Sequence, residues 1–354
     1  MTRVAFLGIG RGALAEAFPK AAPFHLETAF RAGHLFGQLN EQLHIPQPLL
    51  QALQDKYSFS PSLEVESKKI SFDGTIKWLL RPVEGIGSAL ETVLIPEYGN
   101  RNTLCLSSQV GCSLSCRFCH TGTQKFERNL PASQIISQFI VAAKHLGDYP
   151  LGKHQTAKQL TSLSNVVFMG QGEPLYNWQQ VQQAIKTFTD PALFNMSPSR
   201  ITVSTSGIVP MIKKVAELGV RLAVSLHAPC DDLRSDIMPI NKTYSIASLI
   251  EACKEFSACN SSMPRISFEY VMLRGFNDSV GCAKDLVGLL AGMDAHVNLI
   301  PFNEWPRAKY LPTLMQEIEE FRQVLETHSI RCTVRKNRGM DIMAACGQLK
   351  SALG

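Results

Sequence analysis

Cys112-Ser113-Leu114-Ser115-Cys116-Arg117-Phe118-Cys119 places three cysteines at spacings of four and three within one short segment. Thiols this close cannot all be packing residues of a core, because they share one loop. Their odd number disfavours a self-contained disulfide set. Nothing reads as a secretory leader, so a reducing compartment is expected. A metal centre is what remains. Structural zinc normally draws four ligands from two separated pairs, and there is no second Cys-x-x-Cys pair. His120 adjoins Cys119, which makes joint chelation of one ion awkward. Iron–sulfur clusters are held by cysteine thiolates, usually four. Three thiolates on a four-iron cluster leave one iron open to a substrate. That reading is adopted here, with zinc and accidental clustering as the alternatives.

The spacing, with the aromatic Phe118 just before the third cysteine, resembles the radical S-adenosylmethionine enzymes. The resemblance implies one 4Fe-4S cluster on Cys112, Cys116 and Cys119. It also implies that the open iron chelates the amino and carboxylate groups of S-adenosylmethionine, and that electron transfer cleaves the sulfonium to a 5′-deoxyadenosyl radical.

Downstream of Thr103, β-like runs alternate with helical patterns. Strands are expected at Thr103–Val110, Asn165–Met169, Ile201–Ser204, Val220–Leu226, Ile266–Leu273 and Val297–Ile300, with a short one at Cys332–Val334. The spacing predicts helices at Pro131–Leu146, Trp178–Thr187, Val209–Leu218, Ile246–Phe256, Ala283–Leu290 and Met315–Thr327. Such alternation implies an α/β fold with a parallel sheet, and right-handed crossovers curl it into a full or partial α/β barrel; the resemblance implies the partial (β/α)6-type radical SAM barrel. Functional residues then belong at the strand C-terminal ends.

Polar clusters stand at those ends. The cysteine loop follows the first strand and Gly170-Gln171-Gly172-Glu173-Pro174 the second. Ser204-Thr205-Ser206-Gly207 closes the third, Ser225-Leu226-His227 the fourth, and Asn303 follows the sixth. Each alone has a bland reading: a turn, a helix N-terminal acid, a satisfied core histidine. Together they suit one ligand. Gly172 lets backbone approach it. Glu173 suits an ammonium, Ser204, Ser225 and Asn303 suit ribose hydroxyls and a carboxylate, and Leu226 and His227 complete the candidate cofactor-binding set.

Upstream, Lys69–Leu80 reads as a hairpin around Asp73-Gly74, with a further strand at Leu90–Ile95. Residues 24–57 read as short helices. Val4–Ala13 runs a strand into a Gly-rich turn, but Pro19 and Pro23 interrupt it and no second strand follows, so a dinucleotide site is rejected. The expected division is a helical accessory domain at 1–62 for RNA docking, a connecting β segment at 63–98, and the barrel with a C-terminal catalytic-cysteine loop at 99–354.

The 354 residues suffice for one large domain and a smaller one, and 45% apolar with 18% charged content describes an ordinary globular chain. No apolar run of about 18 residues exists, so no membrane span is expected. The net charge of +5 permits nucleic acid without demanding it. Local basic clusters speak more clearly: Arg117, Lys125 and Arg128 beside the cysteine loop, and Arg331, Arg335, Lys336 and Arg338 before Cys346. Both suit phosphates.

Two further cysteines stand apart. Cys105 precedes the first cluster cysteine by seven residues, and Cys346 lies in Ala344-Ala345-Cys346-Gly347, where small neighbours leave room around a sulfur. Cys230, Cys253, Cys259, Cys282 and Cys332 read as small buried or incidental residues. Thr103–Cys112, Gly172-Glu173-Pro174-Leu175, Ser204–Gly207, Ser225–His227 and Ala344–Leu349 together resemble the RlmN/Cfr family of RNA adenine methyltransferases, from about residue 70 to the C-terminus. Met343 departs from that pattern by replacing an acid.

The resemblance implies a mechanism. One S-adenosylmethionine methylates Cys346, and a second, cleaved at the cluster, yields the radical that activates the S-methyl group. The carbon radical adds to carbon 2 of an adenosine in 23S rRNA and in tRNA. Glu91 removes the ring proton. Cys105 then attacks Cys346, forming a disulfide and releasing the base. The implied partners are RNA and an electron donor such as flavodoxin or ferredoxin, with a monomer acting in the cytoplasm (an organelle in a eukaryotic host). Carbon-8 methylation of the Cfr kind, and a zinc-containing RNA-binding protein without catalysis, are the rival readings.

Overall fold

The computed structural model describes residues 3–83, 87–97, 99, 101–150, 162–260, 263 and 265–351. The chain enters through β1 (Val4–Ala5), α1 (Arg11–Ala17), α2 (Pro23–Leu35) and α3 (Gln47–Lys56), and β2 (Tyr57–Ser58) returns parallel to β1. Pro23 opens α2 at a position whose N–H has no helical partner in any case. Leu26, Ala29, Phe30 and Leu35 are buried along α2 together with His34. The His34 Nε2 accepts the Gly8 N–H at 3.1 Å, and its Nδ1 donates to the Phe30 carbonyl at 2.8 Å. The Gly-rich stretch leads into α1 and then α2, with no second strand at that point. A Cβ on Gly8, whose φ is 82°, would come within 2.9 Å of the Ala132 Cβ, so this glycine serves close packing.

β3 (Leu63–Ile70), β4 (Ile76–Pro82) and β5 (Leu90–Glu97) form an antiparallel extension that β6 (Arg101–Cys105) continues. Asp73-Gly74 lies in the loop 71–75 rather than in a two-residue hairpin turn. The Ser71 N–H donates to the Thr75 carbonyl at 2.8 Å, and Asp73 Oδ1 accepts the Thr75 N–H at 2.9 Å.

The expected strand Thr103–Val110 is broken. β6 ends at Cys105, and β7 (Gln109–Val110) pairs instead with β8 (Arg128–Asn129). The intervening serines bond sideways. The Ser107 N–H donates to Gln138 Oε1 at 2.8 Å, its Oγ to the Glu91 carbonyl at 2.6 Å, and the Ser108 N–H to the Gln171 carbonyl at 2.9 Å. The chain is thereby turned out of the sheet into the cysteine loop.

The remaining units follow in order: α4 (Ala132–His145), β9 (Leu163–Phe168), α5 (Trp178–Thr189), β10 (Ile201–Thr205), α6 (Val209–Ala216), β11 (Arg221–Ser225), α7 (Asp231–Ile237), α8 (Ile246–Cys259), β12 (Ile266–Met272), α9 (Val280–Leu289), β13 (Ala295–Pro301), α10 (Met315–Thr327) and β14 (Arg331–Val334). Ser245 and Ser279 cap α8 and α9 by accepting the N–H groups of Ser248 and Cys282. Of these helices α7 has no counterpart in the expected set, and neither does α1, where a Gly-rich turn is expected. The ten-stranded sheet runs β3-β4-β5-β6-β9-β10-β11-β12-β13-β14, and every neighbour from β6 to β14 is parallel. β3 and β14 remain its two edges, so the barrel is partial. One apolar cluster joins Phe6 and Phe30 to Phe139, Phe168, Phe268 and Phe321, which seats the N-terminal helices on the barrel core. Each such buried aromatic contributes about 1.5–3 kcal/mol.

Candidate active site

The C-terminal strand ends and the segment after β14 surround a cavity of about 190 Å³. Cys105, Cys112, Cys116, Cys119 and Cys346 all line it. So do Gly172, Glu173, Ser204, Ser225, His227 and Asn303. The other five cysteines do not. Two expected site residues also stay off its wall. Leu226 is fully buried, and its carbonyl accepts Arg234 Nε at 3.0 Å. Glu91 is buried on β5 in an ion pair with Lys77 at 2.9 Å. A carboxylate taken out of water needs such a partner, so Lys77 decides where this one points.

The cysteine loop is held by close backbone approaches. Gly111 has φ 72°, and a Cβ there would fall 2.1 Å from the Lys125 carbonyl oxygen. A Cβ on Gly122 would lie 2.6 Å from the Cys116 carbonyl oxygen. The Leu114 N–H donates to the Cys112 sulfur at 3.4 Å. Trp305 Nε1 donates to the Phe118 carbonyl at 3.0 Å and stacks on His120, with centroids 4.9 Å apart and planes 8° from parallel. His120 Nδ1 lies 3.1 Å from the Gln348 carbonyl, so this ring fastens the C-terminal segment.

Burial pushes the Cys112 thiol up to about 12 and raises Cys116 and Cys119 as well. Such thiols are poised to ionise only when a cationic centre takes their sulfurs. Among the described residues no three His, Cys, Asp or Glu side chains converge on one ion. The three thiols ring the cavity instead, a donor set that fits a thiolate-bound cluster.

The rim offers acceptors. Gly172 has φ 97°, and a Cβ would meet the Gln109 Cβ at 2.4 Å, so only glycine fits. Burial raises the Glu173 carboxyl, while the N–H groups of Ser206 and Leu175, at 2.8 and 3.0 Å, pull it back. His227 has φ 60°, and its Nδ1 accepts the Val271 N–H at 3.0 Å, which leaves the proton on Nε2. Burial, with Arg234 adding to it, lowers His227 to about 3, so the ring is neutral. Asn303 Nδ2 donates to the Cys346 carbonyl at 3.1 Å, whereas its buried Oδ1 has no partner among the described residues. Glu269 Oε2 is likewise buried and unpartnered. Two orphaned acceptors on one cavity wall suit a ligand carrying an ammonium and hydroxyls, as S-adenosylmethionine does.

Cys105 lies at the end of β6, and Cys346 is exposed at the cavity mouth. Burial, with Cys346 nearby, raises Cys105 to about 12. Desolvation raises Cys346 to about 11, with Arg335 pulling it down. Arg335 belongs to the basic cluster expected to meet phosphates, yet it turns inward. Its Nη2 pairs with Glu269 Oε1 at 3.1 Å on the cavity wall. Arg331 and Lys336 remain exposed.

Sequence reasoning missed Glu269, Trp305 and Arg234. Glu269 left a signal, as the one acid within the apolar run Ile266–Met272. Arg234 is fully buried and donates to the carbonyls of Leu226, Ser206 and Ser225 and to Asn241 Oδ1, at 2.7–3.0 Å. It ties the ends of β10 and β11 together beneath the site.

Residues 106–281 match the model of the Radical SAM superfamily. The chain is 44% identical over 355 residues to a protein of Dinoroseobacter shibae named dual-specificity RNA methyltransferase RlmN, covering 98% of this chain and 89% of that one. A protein of the same name from Parvibaculum lavamentivorans is 49% identical over 304 residues, covering 84% and 75%. The crystal structure of a radical SAM methyltransferase from Sphaerobacter thermophilus superposes with a TM-score of 0.86 at 35% identity, over 99% of this chain and all of that one.

Proposed function

The chain belongs to the RlmN family of dual-specificity, radical SAM RNA methyltransferases, and from that premise we propose that it methylates carbon 2 of an adenosine in 23S rRNA and in tRNA with Cys346 as the methyl carrier. The family implies a 4Fe-4S cluster and S-adenosylmethionine. The observation that carries the reading is that Cys105 and Cys346 line the same cavity as Cys112, Cys116 and Cys119. A radical enzyme acting on a small molecule would have no use for the two outlying thiols.

Cys112, Cys116 and Cys119 would hold the cluster, which with bound S-adenosylmethionine supplies one-electron cleavage and hydrogen abstraction. Asn303 and Glu269 offer acceptors to the ligand, and Glu173 lines the same wall. Cys346 takes the methyl group, and its carbon becomes the link to the adenine ring. After the adduct gives up the ring proton and its unpaired electron, which would return to the cluster, the Cys105 thiolate attacks the Cys346 sulfur. The S–S bond forms as the S–C bond breaks, the electron pair goes to the departing carbon, and that carbon takes a proton to become methyl. A dithiol reductant then restores both cysteines. Two molecules of S-adenosylmethionine serve each turnover, one as donor to Cys346 and one as radical source. A small carrier such as flavodoxin or ferredoxin supplies electrons to the monomeric chain in the cytoplasm. The target base must be presented unstacked at the cavity mouth. Exposed Lys125 and Lys336 suit phosphates, whereas Arg331 opens β14 at the opposite strand end beside Asp294, and the helices of residues 1–62 would dock the RNA.

Anaerobic incubation with RNA, S-adenosylmethionine and reductant, followed by mass spectrometry of the nucleosides, tests the reading. 2-Methyladenosine is expected, and Cys346→Ala abolishes it. 8-Methyladenosine alone, or full turnover in Cys346→Ala, overturns it.

A further inference from the structure

The loop between β3 and β4 ends in an aromatic ring that touches nothing: Phe72 is 100% exposed. A single apolar residue on a surface is ordinary. Phe72 differs in how firmly its backbone is held and in what lies beside it. The Ser71 N–H donates to the Thr75 carbonyl at 2.8 Å, and the Gly74 N–H to the Ser71 carbonyl at 3.0 Å, which closes the loop. Asp73 Oδ1 accepts the Thr75 N–H at 2.9 Å, and its Oδ2 accepts the Gly339 N–H at 3.0 Å. The Phe72 N–H itself donates to Asp341 Oδ2 at 3.3 Å, while Asp341 Oδ1 accepts the Ser71 hydroxyl. None of these bonds involves the Phe72 ring. The ring is therefore presented to water on a fixed base.

The chain that supplies this base comes directly from the active site. Arg335 lies on the cavity wall, and Gly339 lies against the loop: a Cβ there would fall 2.9 Å from Thr75 Cγ2 and 2.8 Å from the Ala344 Cβ. Ala344 and Cys346 line the cavity. The four residues from Arg335 to Gly339 span about 14 Å at most, so the loop stands beside the cavity rather than across the molecule. Lys336 and Arg338 fall within that span. Lys336 is exposed, and Arg338 Nη1 lies 4.0 Å from Asp73 Oδ2. Lys68 and Lys69 are exposed on the β3 arm of the loop, and Met340 is half-exposed next to Asp341. The two acids at hand, Asp73 and Asp341, are engaged by the chain's own N–H and hydroxyl groups.

We propose that Phe72 is a stacking platform for an unpaired base of the substrate RNA flanking the target adenosine, with Lys336 and Arg338 meeting the phosphates between the two. The inference rests on RNA being the substrate. A free aromatic ring beside cations is the combination that grips single-stranded RNA: a base of any sequence stacks on the ring, and the cations follow the backbone. The target adenosine reaches a cavity only after leaving its own stack, and its neighbour then loses a stacking partner as well. Phe72 replaces that partner. The cations around the ring favour this polyanion over an apolar patch of a partner protein.

Because the ring has no contacts within the chain, its replacement tests the RNA contact and not the fold. Wild type, Phe72→Ala, Phe72→Leu, Phe72→Tyr and Lys336→Ala, each loaded with its cluster, are compared on protein-free transcripts of 23S rRNA and of tRNA. The readouts are KM for methylation and equilibrium Kd at several salt concentrations. Phe72→Ala should raise KM and Kd about tenfold, which is ~1.4 kcal/mol and within the range for one stacked base. Phe72→Tyr should match the wild type, and Phe72→Leu should resemble Phe72→Ala. The salt slope of binding should stay at the wild-type value in Phe72→Ala, which loses no phosphate contact, and fall by about one unit in Lys336→Ala. Wild-type KM and Kd in Phe72→Ala, on both transcripts, overturn the proposal and leave the ring to a protein partner or to none. Phe72→Leu binding as tightly as Phe72→Tyr also overturns it, since stacking needs a ring. A wild type that binds the transcripts but makes no 2-methyladenosine counts against the proposed product, and the Kd comparison still decides the role of Phe72.

Discussion

Arg335 Nη2 lies 3.1 Å from Glu269 Oε1, on the cavity wall that also bears Cys105 and Cys346. Burial works against the guanidinium charge, but Glu269 and the two thiols more than offset it and leave Arg335 above its ordinary value. The same field pulls both thiols down from where burial alone would put them. Arg335→Met removes that cation, so the thiolate fraction of Cys346 at pH 8 must fall. Anaerobic alkylation of Cys346 by iodoacetamide should slow roughly three- to tenfold, as expected for a rise of up to one pKa unit. Faster alkylation would show that Arg335 shields the thiol instead of favouring its ionisation.

Gly111 cannot carry a side chain. A Cβ would fall 2.1 Å from the Lys125 carbonyl oxygen at φ 72°. The left-handed backbone alone costs about 1–2 kcal/mol for alanine, and the clash must also move the segment that starts the cysteine loop. Gly111→Ala should lower iron content and the visible cluster absorbance more than it lowers helical circular dichroism. Wild-type iron content would mean that the loop can shift without cost.

Arg234 is the buried knot under the rim. Its planar fork reaches three carbonyls and an amide oxygen at once, and burial lowers it to about 10. An ammonium has neither the reach nor the fork to replace it. Arg234→Lys should destabilise the protein by about 3 kcal/mol or more, because several acceptors lose their donors in a dry site. Denaturant unfolding with an unchanged midpoint would contradict this.

His34 makes the N-terminal helices acid-sensitive. Burial lowers its imidazole to about 4, from 6.5 in the unfolded chain. A depressed histidine stabilises the fold fully above pH 6.5, and that contribution is lost as pH falls toward 4. The loss amounts to about 3 kcal/mol. Protonating Nε2 would also remove the acceptor of the Gly8 N–H. Protection of the α1 and α2 amides, corrected for the pH dependence of intrinsic exchange, should therefore fall between pH 6.5 and 4 in the wild type, and less in His34→Gln. Equal losses of protection would assign the acid response to other groups.

The parallel half of the sheet was open to reading because strands buried on both faces appear as unbroken apolar runs between helical periods. The thiols and the Gly-Glu-Pro stretch were open for a different reason: their chemistry is unusual at those spacings. What stayed hidden shares a physical cause. Met343 offers a carbonyl to Lys77, Lys350 an N–H to Glu91, and Gly339 an N–H to Asp73. Backbone groups belong to every residue, so composition carries no trace of them. The break at Cys105 was hidden likewise, because Ser107 and Ser108 leave the ladder through bonds to residues far along the chain. Arg335 was visible but misassigned, since a run of basic residues does not say which of them turns inward.

Cys105 terminates a strand with an antiparallel neighbour on one side and a parallel neighbour on the other, while Cys346 rides on a segment with no ladder of its own. The two sulfurs thus rest on supports of different kinds, a strand end locked in a sheet and a loop pinned on either side by Lys77 and Glu91. In the disulfide step proposed for turnover, a bond between them would close a covalent ring of chain from residue 105 to residue 346, and reduction would open it again. Each turnover would therefore pass through a clasped and an unclasped form of one fold.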